Sequence, residues 1–365
     1  MIRVLHTGMT SNLGGIESYL INYYRKIDKS KIQFDFVNIE DDLCFSDEIK
    51  RNGGIIYNLV SYYKNPIKYI RSLKKIIEDN DYKIVHCNMN SAVMIFPLIA
   101  AKLAKAKVII AHSHNSSSDK GRLKTVLHNI NRYFIPFLAN YYFACSVDAG
   151  KWFFSKKIIA SKRFKVINNA IDTNKFRYDD SIREKIRCEL NIDSDTKVLG
   201  HVGRFSKQKN HNFLIDIFYE YNKKNNNSLL LLLGKGTLVK EVEDKVKNYG
   251  LEDKVLFVGT KDNVYDYMFA MDYFIFPSLY EGLGIVLVEA QATGLPVLTT
   301  DVIPDEAIVS DKFYKLSLKN TAREWAYKID DLEVTNRHQN SLCLDYDIER
   351  NTKLLEDFYG DVYYE

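Results

Sequence analysis

Pro277-Ser278-Leu279-Tyr280-Glu281-Gly282-Leu283-Gly284-Ile285-Val286-Leu287-Val288-Glu289-Ala290, with Gly294-Leu295-Pro296-Val297 behind it, decides the fold of this 365-residue chain. The apolar run Tyr273–Pro277 in front of it reads as a strand and the run after Gly284 as a helix, so the segment is a strand-to-helix turn. Gly282 and Gly284 allow the backbone to approach a ligand closely, and a helix opening there turns free N–H groups and its positive end outward. Glu281 precedes that helix and Glu289 lies about a turn inside it, which aims two carboxylates at different parts of one ligand. Two glutamates eight apart are common by chance. Set among glycines after an apolar strand, they carry more weight.

Outward from this turn, short apolar runs alternate with helical patterns, the mark of parallel α/β architecture. Strands are expected at Arg3–Thr7, Phe34–Ile39, Ile84–Cys87, Val108–His112, Tyr142–Ser146 and Lys165–Ile167, then at Val198–Gly203, Leu229–Leu233, Val255–Val258, Tyr273–Pro277 and Val297–Thr299. Lys68 to Asn80 carries Ile70, Leu73, Ile76 and Ile77 on one helical stripe. A chain of this length exceeds the usual single core, so two domains are expected. The polar stretch Asn168 to Asp195 is the candidate boundary. It gives domains 1–170 and 171–345, and a terminal helix, 346–365, that packs back on the first.

Composition narrows the class. With 46% hydrophobic and 27% charged residues the chain reads as globular. Cys44, Cys87, Cys145, Cys188 and Cys343 form no CxxC pair and flank no His cluster, so neither a disulfide frame nor a metal site is indicated. Met1-Ile2-Arg3-Val4-Leu5-His6 lacks the apolar region of a signal peptide, and Lys102, Lys105 and Lys107 interrupt the longest apolar tract, Ala92 to Ala111. A cytoplasmic protein is expected.

Three further strand ends carry chemistry, because ligands of open parallel sheets bind beyond the carboxyl ends of the strands. Gly203-Arg204-Phe205-Ser206-Lys207-Gln208-Lys209-Asn210 follows a strand and opens a helix near His211. Arg204 offers a bidentate fork and Lys209 a point charge, a combination suited to a pyrophosphate, although a solvated basic loop reads almost as well on this segment alone. Asn12-Leu13-Gly14-Gly15-Ile16-Glu17 opens the first helix, where Gly14 and Gly15 let a phosphate or sugar approach; without GxGxxG it does not read as a nicotinamide site. Ala111-His112-Ser113-His114-Asn115 ends a β-branched strand with two histidines on one side.

The run Glu281 to Ala290, with Gly294-x-Pro296-Val297, resembles the signature of family-4 retaining glycosyltransferases, and Gly203-Arg204 through Lys209 resembles that family's diphosphate-binding loop. Asn169-Ala170-Ile171-Asp172-Thr173-x-x-Phe176 resembles its interdomain segment, with Ala170 where glycine is common; Leu283 stands where phenylalanine is frequent. The resemblance implies a GT-B fold: two Rossmann-like parallel-sheet domains facing an interdomain cleft. It implies transfer of a sugar from a nucleotide-diphosphate donor, by default a UDP-sugar, to a glycan or lipid-linked acceptor of surface-polysaccharide synthesis. Arg204 and Lys209 would hold the diphosphate. Gly14, Gly15, Gly282, Leu283, Gly284 and Ile285 would line the donor site, Glu281 would bind sugar hydroxyls and Glu289 the ribose. Either His114, slightly favoured, or His112 would be the active-site histidine. No metal or cofactor is expected, since the cations do the work of one; Asp193-Ser194-Asp195 and Asp345-Tyr346-Asp347 are weak DxD matches. A GT-B sugar-nucleotide 2-epimerase and a non-catalytic sugar-nucleotide-binding subunit of a polysaccharide assembly complex stay open as alternatives.

Charge adds one expectation. The whole chain carries +4, yet residues 102–165 hold thirteen Lys/Arg against Asp119 and Asp148, a local net of +11. Lys120, Arg122, Lys124 and Arg132 alternate with Leu123, Val126, Leu127 and Ile130, and Lys156, Lys157, Lys162, Arg163 and Lys165 follow Trp152-Phe153-Phe154. A mixed basic and apolar face of this kind suits an anionic membrane surface at the inner leaflet, and no nucleic-acid motif accompanies it. A merely solvated face is the competing reading.

Overall fold

Thirteen strands build two sheets in the computed structural model, which describes all residues except 12–13, 41, 116–120, 334–336 and 338–343. The first sheet contains β1 (Ile2–Thr7), β2 (Ile32–Asn38), β3 (Ile56–Asn58), β4 (Ile84–Met89), β5 (Val108–Ser113), β6 (Tyr141–Ala144) and β7 (Phe164–Val166), ordered β3-β2-β1-β4-β5-β6-β7. The second contains β8 (Lys197–Val202), β9 (Ser228–Leu233), β10 (Val255–Gly259), β11 (Tyr273–Phe276), β12 (Val297–Thr300) and β13 (Phe313–Leu316), ordered β10-β9-β8-β11-β12-β13. Every pairing is parallel.

The central strands are buried on both faces, as their unbroken apolar runs require. Helices cover the first sheet on each side: one core joins Val4, Phe34, Ile84 and Ile110 to Tyr19 and Tyr23, the other joins Leu5, Val85 and Ile109 to Leu73 and Ile77. The stripe read at Lys68–Asn80 is the helix Pro66–Asp79, started by Pro66 in its first turn and by the Asn65 side chain accepting from the Lys68 N–H. β3 and β13 fall outside the strand expectations. Both are edge strands of three or four residues and only partly buried, so neither shows a strong apolar run.

The chain separates into two units, Met1–Asp172 with Leu344–Glu365, and Thr173–Cys343. The polar stretch 168–195 holds a helix, Asp180–Glu189, which belongs to the second unit; Arg183 and Arg187 both ion-pair with Asp272 there. In the first unit the C-terminal helix Ile348–Tyr364 buries Leu355, Phe358, Tyr359 and Val362 against the β1–β2 side of the sheet. The DxD residues have structural roles: Asp347 caps that helix by accepting from the Arg350 N–H, and the Asp193 and Ser194 carbonyls accept from Arg187.

Both strand orders reverse direction once, between β1 and β4 and between β8 and β11. Such a switch point leaves a crevice at the carboxyl ends of the two strands, where neighbouring loops diverge.

Candidate active site

In the second unit the two loops at the switch point are those singled out from the sequence: 203–210 leaves β8 and 277–284 leaves β11. They are laced together. The Leu279 N–H donates to the Gln208 carbonyl at 2.8 Å, the Gln208 amide donates to the Tyr280 carbonyl at 2.9 Å, and the Asn210 amide donates to the Pro277 carbonyl at 3.1 Å. Lys209 Nζ meets Glu281 Oε1 at 2.7 Å and lies 4.5 Å from the centre of the Phe276 ring. The two side chains are 16% and 8% exposed, so the pair is largely desolvated. Glu281 therefore does not project freely from the turn towards a ligand. Its carboxylate is the buried counter-ion that holds Lys209, and the ammonium keeps further N–H donors for an anion.

Glycine is needed here for two reasons. Gly284 caps the helix Ile285–Ala292 at φ 73°, in the left-handed region. A Cβ on Gly203 would come within 3.3 Å of the Lys209 side-chain stem, so Gly203 leaves the room in which that side chain lies. Gly282 and Ile285 flank the turn, half-buried, while Leu283 is buried beneath it. Arg204 is exposed on the same loop. Gly234 and Gly236, which sequence reasoning passed over, follow β9 and let that loop press on the 203–205 backbone: a Cβ at either would lie about 2 Å from the Gly203 or Phe205 carbonyl oxygen. The signal was a G-x-G at a strand end.

Glu289 lies on the helix opened by Gly284, and burial pushes its carboxyl up to about 7. A carboxyl poised there accepts a diol's two hydrogen bonds only once ionised. If Glu289 takes the donor's diol, as the resemblance implies, the Michaelis constant for the donor is expected to rise roughly ten-fold per pH unit below about pH 7, with Glu289→Gln held near the acid-side value at every pH. A flat profile from pH 6 to 8 in the unmodified chain would remove Glu289 from the binding step.

In the first unit, Gly14 and Gly15 sit where expected, Gly14 as the extended N-cap and Gly15 as the first residue of the helix Gly15–Lys26; Asn12 and Leu13 of that motif lie outside the described residues. Glu17, buried in the first turn, accepts from both the N–H and the hydroxyl of Thr10 and so ties the β1 loop to this helix. Beside the same crevice β5 delivers His112 and His114, with ring centres 4.0 Å apart. They occupy different environments. His112 is fully buried and hydrogen-bonded to His86, whereas His114 is half-buried at the strand end.

Asn88, on β4, settles how His114 is protonated. Its Nδ2 donates to the Thr7 carbonyl at 3.0 Å, so its Oδ1 is the acceptor that faces His114 Nε2 at 2.9 Å. His114 therefore carries its proton on Nε2 and offers a lone pair on Nδ1, which is buried and has no partner at hydrogen-bonding geometry. Burial drives His114 down to about 3, an effect the nearby Asn169 amide opposes. His6 is held down to about 3 by burial and by His114, and His86 and His112 are also held well below the usual imidazole range, again chiefly by burial. The cluster is neutral at physiological pH. A cavity of about 330 Å³ opens beside it, lined by Met9, Thr10, Tyr62, Asn88, Ser91 and Lys124.

Similarity to known proteins follows the same division. Residues 13–175 match the model of Glycosyltransferase Family 4 and residues 182–342 that of Glycosyl transferases group 1. Over 373 residues the chain is 33% identical to EpsF of Bacillus subtilis (strain 168), a protein that carries a provisional glycosyltransferase name, covering 98% of this chain and 96% of EpsF. It is a family-4 glycosyltransferase. The Escherichia coli UDP-Gal:alpha-D-GlcNAc-diphosphoundecaprenol alpha-1,3-galactosyltransferase is 24% identical over 390 residues, covering 99% and 97% of the two chains. Among solved structures, HepE of Anabaena in complex with UDP and glucose superposes with a TM-score of 0.75 at 19% identity, over 100% of this chain and 97% of that one. The fold of this glycosyltransferase is GT-B.

Proposed function

We propose that this glycosyltransferase moves a sugar from a UDP-sugar to a lipid-linked or glycan acceptor of surface-polysaccharide synthesis, with retention of configuration and without a metal. The observation that carries this reading is the desolvated Lys209–Glu281 pair at the β8/β11 switch point, beside the helix opened by Gly284. Departure of a nucleoside diphosphate builds negative charge on the leaving oxygens. Lys209, Arg204 and the N–H groups of that helix supply the charge-stabilising donors. Glu281 binds sugar hydroxyls and holds the ammonium in place, Glu289 takes the ribose diol, and Gly14 and Gly15 give the donor close access to the first helix. His114, whose Nδ1 is buried without a hydrogen-bond partner, is assigned to accept from a hydroxyl of the transferring sugar.

UDP in the HepE complex supports the choice of base. The E. coli relative named above and a Campylobacter jejuni relative, named for transfer to an N-acetylgalactosamine-N,N'-diacetylbacillosaminyl-diphospho-undecaprenol acceptor, support the acceptor class, as does the capsular polysaccharide biosynthesis name of CapH from Staphylococcus aureus. Incubation with labelled UDP-, GDP- and ADP-sugars, after a thermal-shift screen, is expected to give transfer from a UDP-sugar that persists in EDTA. Epimerised donor, or binding without turnover, would replace this reading with one of its alternatives; a strict magnesium requirement would overturn the cation-based mechanism.

A peripheral place at an anionic membrane belongs to the same proposal. Among the described residues no helix is long and apolar enough to cross a membrane. The helix Arg122–Asn131 and the short turn after it expose Leu123, Val126, Ile130, Tyr133 and Phe137, while Arg122 and Lys124 stand on the same segment. His128, buried on the opposite side, accepts from the Ala92 N–H and stacks on Trp152, which anchors the helix with its apolar side outward. One part of the expectation is corrected: Phe153 and Phe154 are core residues, 0% and 1% exposed, and Lys120 lies outside the described residues. Each basic residue near an anionic surface contributes roughly 1 kcal/mol. Co-sedimentation with phosphatidylglycerol vesicles is expected at low salt, falling as salt is raised and in Leu123→Asp/Phe137→Asp. Equal recovery in the supernatant with and without anionic lipid would leave a soluble acceptor as the better proposal.

A further inference from the structure

The two strand-end histidines belong to a longer chain of buried groups. Tyr359, on the C-terminal helix, places its hydroxyl 2.6 Å from His86 Nδ1; His86 Nε2 lies 2.9 Å from His112 Nδ1; and the His112 ring packs 4.0 Å from that of His114. Nothing in the reading above uses His86 or Tyr359. All of these side chains are fully buried except His114.

Two proton orders are compatible with the distances. In one, the Tyr359 hydroxyl donates to His86 Nδ1, His86 donates from Nε2 to His112 Nδ1, and His112 keeps its proton on Nε2. In the other every bond is reversed, and the Tyr359 O–H is left without an acceptor between the helix and the sheet. A buried donor without a partner costs more than an acceptor with a spare lone pair. The first order also leaves one unpaired donor, the Nε2–H of His112. That ring meets Tyr19, itself buried, at 84° with centres 4.9 Å apart, a geometry in which an N–H can point at an aromatic face.

We propose that Tyr359 is a positioning residue that, through His86, fixes His112 as an Nε2–H donor next to His114, the Nδ1 acceptor. The inference rests on the reading that these histidines serve sugar transfer. It separates their roles: His114 receives a hydrogen bond from the sugar, and His112 presents an N–H. It also makes the C-terminal helix part of the site. The side chain that sets the proton order is 273 positions from the histidine it contacts.

The test reads the proton positions directly. In protein carrying ¹⁵N-labelled histidine, two-bond ¹H–¹⁵N correlation spectra distinguish protonated from bare ring nitrogens. The expected wild-type pattern is Nε2–H at His86, His112 and His114. In Tyr359→Phe, His86 and His112 are expected to become mixtures of both tautomers while His114, held by Asn88, is unchanged, and kcat is expected to fall about two- to ten-fold with little change in the donor Michaelis constant. Where Tyr359→Phe folds poorly, His86→Leu replaces it: the His112 signal alone then shifts. An Nδ1–H signal at His112 in the wild type, or unaltered His112 signals in both variants, overturns the proposal. Because the spectra need no turnover, a chain with the expected tautomers and no transfer would refute the transferase reading and leave the proton order standing.

Discussion

Lys209→Ala and Glu281→Ala are each expected to lower kcat/KM by about 10²- to 10³-fold, the scale observed when one preorganised electrostatic donor is deleted from a site that stabilises developing charge. The same substitutions should also cost stability. Lys209 and Glu281 are 16% and 8% exposed and 2.7 Å apart, so truncating one strands the other's charge in a largely desolvated place. Breaking a buried pair in this way costs roughly 3–5 kcal/mol, whereas removing both partners costs much less. A double-mutant cycle should thus give opposite patterns in two observables. Stability should be partly restored in Lys209→Ala/Glu281→Ala relative to either single variant, while activity should stay at the level of the worse single variant. Turnover within a few-fold of wild type in either single variant would remove the pair from the transfer step. Additive stability losses would show that the two charges are solvated independently.

How far the sequence could be read follows the distance over which each feature is encoded. The loops 203–210 and 277–284 were legible because strand, glycine turn and helix start are contiguous, so a local pattern is enough. Their ion pair was not, since Lys209 and Glu281 stand 72 residues apart and either could have faced solvent. The paired histidines at the end of β5 were visible, and so was the ambiguity between them. The groups that give the two different surroundings, Asn88 and His86 on β4 and Tyr359 near the end of the chain, carry no motif. Trp152-Phe153-Phe154 misled for the converse reason. Three aromatics beside lysines look like an interface, but Phe153 and Phe154 belong to the core behind β5 and β6. β3 and β13 escaped notice because an edge strand needs only one neighbour and little burial, so selection for a continuous apolar run is weak there.

The buried histidines also set how the protein responds to acid. A group whose folded pKa lies below its unfolded value binds fewer protons in the folded state, so stability rises with pH between the two values and is lost as pH falls from the upper one. For His6 and His114 the folded values are about 3 against 6.5 for the solvated imidazole of the unfolded chain, which puts the window between about pH 3 and 6.5. At pH 5 each is expected to have lost roughly 2 kcal/mol of its contribution, at about 1.4 kcal/mol per pH unit; His86 and His112 shift in the same direction. Losses of that size approach the whole stability of an ordinary domain. In the second unit His201 and His211 act with the same sign, while Glu289, whose folded pKa is raised to about 7, acts with the opposite sign and gains stability as pH falls from about 7 towards 4.5. Calorimetry from pH 8 to 5 should therefore show little histidine-linked change above about pH 6.5 and a steep fall in melting temperature below it. His6→Phe, which keeps an aromatic ring against Phe34, should make that fall shallower. A melting temperature that stays constant from pH 7 to 5 in the unmodified chain would mean that the folded cluster takes up protons itself, and the neutral, ordered histidines on which the site is built would have to be abandoned.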